Sequence, residues 1–240
     1  MIKTVFFDAA GTLFVPVEPI GRSYARIARG FGVDTDERAV ALGFRRAFAR
    51  AGGLAFGPGI PPTELRKLER RWWRECVRES FDGLGSFEDF DRYFDSLFAY
   101  FAQPSSWRAA PGAESALADL RGRGLSLGVV SNFDGRLHAI LEGLDLRQYF
   151  DSVTISSEAG YAKPAPEIFA VAMERHGVAP EETIHIGDSE PLDVGGATAA
   201  RIATILVDSS RRDAPEIAGQ VARVSSLAEA AALIGRPPFS

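Results

Sequence analysis

Four short stretches of this chain place polar side chains where an apolar run ends. The first, FFDAAGTLF (residues 6–14), carries Asp8 after a β-type run and follows it with Ala9, Ala10, Gly11 and Thr12. An acid at a strand end, ahead of a Gly-Thr turn, is placed as a nucleophile, because strand ends in open α/β sheets face the ligand crevice. Much hydrolytic chemistry at such a site wants a second carboxylate to move protons. Position 10 offers a methyl group instead.

In the second stretch, VVSNFDG, Ser131 and Asn132 stand between a buried strand and a helix. Hydroxyl, amide and helix N-terminal N–H groups there can hold an anion, and an ordinary helix cap is the plainer alternative. The third, GYAKPAPEIF, sets Lys163 ahead of two prolines. Lysine occurs three times in the chain against 24 arginines, so its use at this turn points to a need for a compact ammonium. The fourth, IHIGDSEPLD, ends a strand with Asp188 and opens the next helix with Asp193. Carboxylates at such a turn suit Mg²⁺, a hard ion that takes oxygen ligands, and two capping aspartates are the alternative.

The elements that must position these groups fall into two kinds. Within residues 107–240, strand candidates LSLGVVSN, SVTIS, TIHIGD and ATILVD alternate with helical runs GRLHAILEGL, PEIFAVAMERHG and LDVGGATAAR. That alternation predicts parallel βαβ units with right-handed crossovers, and an opening strand over residues 4–10 joins the same sheet. Residues 16–106 instead show helical periodicity over 22–31, 36–51, 63–80 and 87–101. VPVEP and QPSSW read as linkers at its edges, and GGLAFGPGIPP as a loop between helix pairs. The expectation is an α/β core, a doubly wound parallel sheet formed by residues 1–15 and 107–240, with an all-helical cap domain, residues 16–106, inserted after its first strand.

A chain of 240 residues with 46% hydrophobic and 25% charged residues can bury a large core. A formal charge of -5 excludes a general affinity for nucleic acid or anionic membrane. No apolar run approaches the roughly 20 residues of a membrane span. One cysteine, Cys76, and no basic leader predict a cytoplasmic protein. His185, His138 and His176 read as structural, and the aromatic residues Trp72, Trp73, Phe81, Phe94 and Phe98 as the apolar interior of the helical region.

Taken together, DAAGTL, SNFDGRL, KPAPEIF and GDSEPLD resemble the haloacid dehalogenase superfamily in order, spacing and position of the insert. The resemblance covers nearly the whole chain. It implies covalent chemistry in which Asp8 attacks while Lys163 and Ser131 balance charge, with Gly11, Thr12 and Asn132 at the substrate. It implies Mg²⁺ held by Asp8, the backbone carbonyl of Ala10 and Asp188, with Asp193 in support. The substrate expected is a small phosphorylated metabolite with a good leaving group, since phosphatases of the superfamily carry an acid where this chain has Ala10. A catalytically degenerate protein that binds a phosphorylated ligand or partner is the alternative. 2-Haloacid dehalogenases and phosphonoacetaldehyde hydrolases also lack that acid, but the former lack the GD pair and the latter need a cap lysine, for which only Lys67 is available. Oligomeric state is left open.

Overall fold

The computed structural model describes residues 1–210 and 213–239. In chain order the strands are β1 (Thr4–Phe7), β2 (Phe14–Pro16), β3 (Trp107–Ala109), β4 (Ser126–Ser131), β5 (Ser152–Ile155), β6 (Thr183–Gly187), β7 (Ala203–Val207), β8 (Glu216–Ala218) and β9 (Val221–Val224). Seven of them form one sheet in the order β5-β4-β1-β6-β7-β9-β8, parallel throughout except where β8 runs against β9. Chain order reverses at β1, which lies between β4 and β6. That is the position at which an open α/β sheet leaves a crevice at its carboxyl edge.

Both faces of the sheet are covered, which is why β1 reads TVFF with every residue buried. Val5 and Phe7 pack with α5 (Ala113–Gly122), α6 (Arg136–Gly143) and α10 (Leu227–Leu233). Phe6, on the other face, packs with α8 (Glu167–His176) and α9 (Gly195–Ala199). The sheet is thus doubly wound, as the alternation of runs predicts. The opening strand is shorter than expected, because the chain turns at Ala9, whose carbonyl accepts from Leu13 N–H at 2.8 Å.

Four helices lie between β2 and β3: α1 (Ile20–Arg29), α2 (Glu37–Ala51), α3 (Pro62–Ser80) and α4 (Phe90–Ala102). Asp36 and Asp89 cap α2 and α4 by accepting from Ala39 N–H and Arg92 N–H, and Pro62 opens α3 where no helical N–H is needed. Their facing sides bury Tyr24, Val40, Val77, Phe81, Phe94 and Leu97 in one apolar cluster. Trp73 and Phe98 pack at its edge, and Cys76 is buried.

Two expectations need correction. The stretches expected as linkers, VPVEP and QPSSW, overlap β2 at Val15 and Pro16 and β3 at Trp107, and these strands pair antiparallel with Phe14 opposite Ala109 and Pro16 opposite Trp107. Three-residue strands are too short to show alternation, and Pro16 is tolerated because the ribbon has open edges. Strands β8 and β9 also escaped the sequence reading. β8 is exposed along its length, so its residues lack the apolar signal of the buried strands.

Candidate active site

The backbone N–H of Asp8 donates to the Ile186 carbonyl at 2.8 Å, extending the β1–β6 pairing by one residue. Asp8 therefore sits beside the end of β6, where Asp188 follows Gly187. On the other side of β1, Phe7 pairs with Val129, so Ser131 ends β4 at the same edge. Ser131 is buried. Lys163 enters this edge from the turn before α8, with only 3% of its surface exposed, and its ammonium donates to Asp8 Oδ1 at 2.7 Å and to Asp193 Oδ1 at 2.6 Å.

Three further residues expected here have defined tasks. Thr12 Oγ1 donates to Asp188 Oδ1 at 3.1 Å, which holds the acid. Gly11 has φ of 108°, a conformation that favours glycine, and a Cβ there would lie 2.5 Å from Asp188 Oδ2 and push the acid out of its place. Asn132, expected at the substrate, braces the lysine turn: its amide donates to the Lys163 carbonyl at 2.8 Å and accepts from the Lys163 N–H at 2.7 Å. Both ends of the amide are thereby engaged with the lysine turn. Ala10 is half-buried between Ala9 and Gly11 and carries no titratable group.

Charge is unbalanced at this edge. Burial disfavours ionised Asp193, but the Lys163 ammonium, and then His185, outweigh it and hold the carboxyl well below its usual range. Lys163 is likewise raised, because Asp8 and Asp193 more than offset its loss of hydration. Asp188 moves the other way. Withdrawal of its carboxyl from water, then the charges of Asp8 and Asp193, push it up to about 6, although the residue keeps an exposed outer edge.

Ligand oxygens of Asp8, Asp188 and Asp193 lie within 4.8 Å of one another. Three carboxyl groups face one ammonium, and all the candidate donors are hard oxygens, so the set fits a Mg²⁺ ion. Asp193 fits a supporting place, since Oδ1 accepts from Lys163 and His185 and Oδ2 from Ser189 N–H.

The loop expected between α2 and α3 lies against this site. Ser156 Oγ donates to the Leu54 carbonyl at 2.6 Å, and a Cβ on Gly160 would come 2.3 Å from Gly57 backbone. Gly160 has φ of 80° and stands three residues before Lys163. Lys67 is elsewhere, on an exposed face of α3 and paired with Glu64 at 3.1 Å. His138 pairs with Glu158, and His176 joins Ser126 and Ser152 at the opposite ends of β4 and β5.

His185, read from the sequence as a structural histidine, is fully buried, and its Nε2 donates to Asp193 Oδ1 at 2.8 Å. Burial lowers its pKa, so the ring is neutral and the proton belongs on Nε2, leaving Nδ1 without a partner among the described residues. A signal existed in the sequence: a strand covered on both faces has no polar side, so a histidine within it requires a specific partner. Among the described residues, no helix is long and apolar enough to cross a membrane.

A model of the haloacid dehalogenase-like hydrolase family matches residues 2–201. The chain is 36% identical over 213 residues to the haloacid dehalogenase-like hydrolase domain-containing protein 3 of Mus musculus, covering 87% of this chain and 83% of that one. It is 37% identical over 159 residues to a phosphoserine phosphatase of Thermus thermophilus, covering 65% of this chain and 63% of the relative. Among solved structures, the L-2-haloacid dehalogenase of Xanthobacter autotrophicus superposes with a TM-score of 0.74 at 22% identity, covering 99% of this chain and 100% of that one.

Proposed function

The chain belongs to the haloacid dehalogenase-like hydrolase family, and on that premise we propose that it is a phosphatase-type enzyme in which Asp8 attacks a small phosphorylated metabolite carrying a good leaving group. The observation that carries this reading is the Lys163 ammonium bridging Asp8 and Asp193. It holds one Asp8 oxygen, Oδ1, and leaves Oδ2 to attack.

In the first step an Asp8 oxygen bonds to phosphorus as the bond from phosphorus to the leaving oxygen breaks, and that oxygen departs with the electron pair. Water then attacks phosphorus, the bond from phosphorus to the Asp8 oxygen breaks with its electron pair returning to the carboxylate, and the water's proton passes to solvent or to the released inorganic phosphate. Lys163 and Ser131 neutralise and hold the transferred group, and Asn132 keeps the lysine turn in place. Mg²⁺, which Asp8, Asp188 and the Ala10 carbonyl would hold with Asp193 in support, supplies further charge neutralisation. Positioning and charge are most of what phosphoryl transfer asks of a protein.

Ala10 sets the substrate class. General acid–base help is worth about 10²–10⁴-fold, so alkyl phosphates, whose alkoxides leave poorly, are the substrates that suffer most from its absence. Acyl and aryl phosphates suffer less. The similarity to a phosphoserine phosphatase supports phosphate-ester chemistry. Asp188, the acid of the GD pair, argues against 2-haloacids, and the exposed, paired Lys67 against phosphonoacetaldehyde. A second reading, binding of a phosphorylated ligand without turnover, also rests on Ala10. A panel of acyl, aryl and alkyl phosphates, 2-haloacids and phosphonoacetaldehyde, each with and without Mg²⁺, separates these. Turnover of acyl and aryl phosphates that requires Mg²⁺ is expected, and tight phosphate-ligand binding without turnover would favour the second reading.

A further inference from the structure

The segment SNFDGRL contains three residues, Asp134, Gly135 and Arg136, that the reaction above does not use. They meet the helical insert. Asp134 is 1% exposed, and its carboxylate accepts from Arg136 N–H at 3.0 Å, Arg136 Nε at 2.8 Å, Arg136 Nη2 at 2.6 Å and Trp73 Nε1 at 2.5 Å. The next residue, Gly135, donates its N–H to Glu69 Oε1 at 3.2 Å. Glu69 and Trp73 are four residues apart on α3, so one face of one helix offers an acceptor and a donor to two consecutive residues of the core loop. The Arg136 guanidinium closes the arrangement, lying 3.9 Å from the Phe98 ring centroid on α4 and 5.2 Å from that of Trp73.

These contacts reach the reaction site by a short route. Phe133 alone separates Asp134 from Asn132, and it is itself fixed: it is buried, its N–H donates to the Ser131 carbonyl and its own carbonyl accepts from Ser157 N–H. Asn132 is bonded in both directions to the Lys163 backbone. The loop is therefore gripped at one end by the insert and at the other by the turn that presents Lys163. Insert and loop also line one cleft of about 740 Å³, to which Leu65, Arg66 and Glu69 contribute from the insert and Asp134 and Gly135 from the loop.

We propose that Glu69 and Trp73, acting on Gly135 and Asp134, are positioning residues that transmit the seating of the helical insert to Ser131, Asn132 and the Lys163 turn. For its catalytic consequence this rests on the hydrolase reading above; for its structural content it does not. Two changes target the contacts: Trp73→Phe removes the indole donor and keeps an aromatic ring, and Glu69→Leu removes the acceptor. Glu69→Gln is the conservative control, since its amide oxygen still accepts from Gly135.

The test is amide hydrogen exchange across the whole chain for the wild type and the three variants, with hydrolysis of an aryl phosphate in Mg²⁺ measured in parallel. Trp73→Phe and Glu69→Leu are expected to speed exchange about 10-fold in residues 131–136 and 160–165, the scale of one lost hydrogen bond to a charged group. β6 and β7 keep wild-type exchange, and Glu69→Gln stays near wild type throughout. kcat falls with the exchange change, and KM moves less. Unchanged exchange in both segments for Trp73→Phe and Glu69→Leu, or uniformly faster exchange over the whole chain, overturns the proposal. So does an equal effect of Glu69→Gln and Glu69→Leu. A wild type that turns over no ester removes the hydrolase reading, and the exchange result still decides this one.

Discussion

Asp193 accepts hydrogen bonds from Lys163, His185 and the Ser189 backbone with its two oxygens, and this small network fixes the ammonium on which the site depends. Replacing His185 by Phe keeps an aromatic ring in the place now packed edge-on against Phe169 but removes one buried donor from a charged acceptor. A loss of about 1.5–3 kcal/mol in urea-unfolding free energy is expected, together with reduced turnover; unchanged stability would mean that Asp193 does not depend on the ring. Ala10 gives the complementary test. Ala10→Asp supplies a proton donor without a new backbone, so hydrolysis of alkyl phosphates should rise by up to about 10²-fold, and acyl and aryl phosphates much less. A folded, Mg²⁺-binding variant that gains on no ester would show that the missing acid is not the limiting group. Asp8 and Asp188 were legible as single residues because each ends an apolar strand run at a turn, and Lys163 because it is one of only three lysines and stands ahead of two prolines. The bracing role of Asn132 was not, since its amide is committed to a turn 31 residues away that no local pattern reveals.

Helix α3 carries the clearest electrostatic consequence at the scale of an element. Glu69 is 6% exposed, and its carboxyl is raised above the ordinary range by burial, although Ser157 and the Gly135 N–H lower it in part. A carboxyl raised in the folded state holds its proton longer there than in the unfolded chain. Its contribution therefore weakens the fold as pH climbs from the ordinary carboxyl range through the raised value, and then levels off. Glu69→Gln removes that titration. The stability of the variant relative to wild type, from urea midpoints at pH 4.5 and 7.5, should shift in its favour at the higher pH; a gap independent of pH would contradict the assignment. The four long helical periods of the insert were readable because each buries one stripe against the others. The β2–β3 ribbon was not, because its pairing joins residues some 90 positions apart through strands of only three residues.

Across the whole molecule, one topological fact does most to assemble the site. β1 lies at the point where strand order reverses, so residues following β1, β4 and β6 share one edge, and the turn before α8 adds Lys163. That convergence follows from parallel βαβ connections and was therefore derivable from the spacing of strands and helices alone. How the insert grips the loop after β4 was not derivable, because it depends on side-chain contacts between α3 and a loop more than 60 positions later. Everything proposed for this edge depends on Asp8 being its nucleophile. Release of inorganic phosphate from an aryl phosphate in the presence of Mg²⁺, measured for the wild type and for Asp8→Asn, tests it most directly, because an amide keeps the shape of the side chain and is a very poor nucleophile. The expected result is Mg²⁺-dependent release by the wild type and none above background by a folded Asp8→Asn; equal release by both proteins would mean that Asp8 is not the nucleophile.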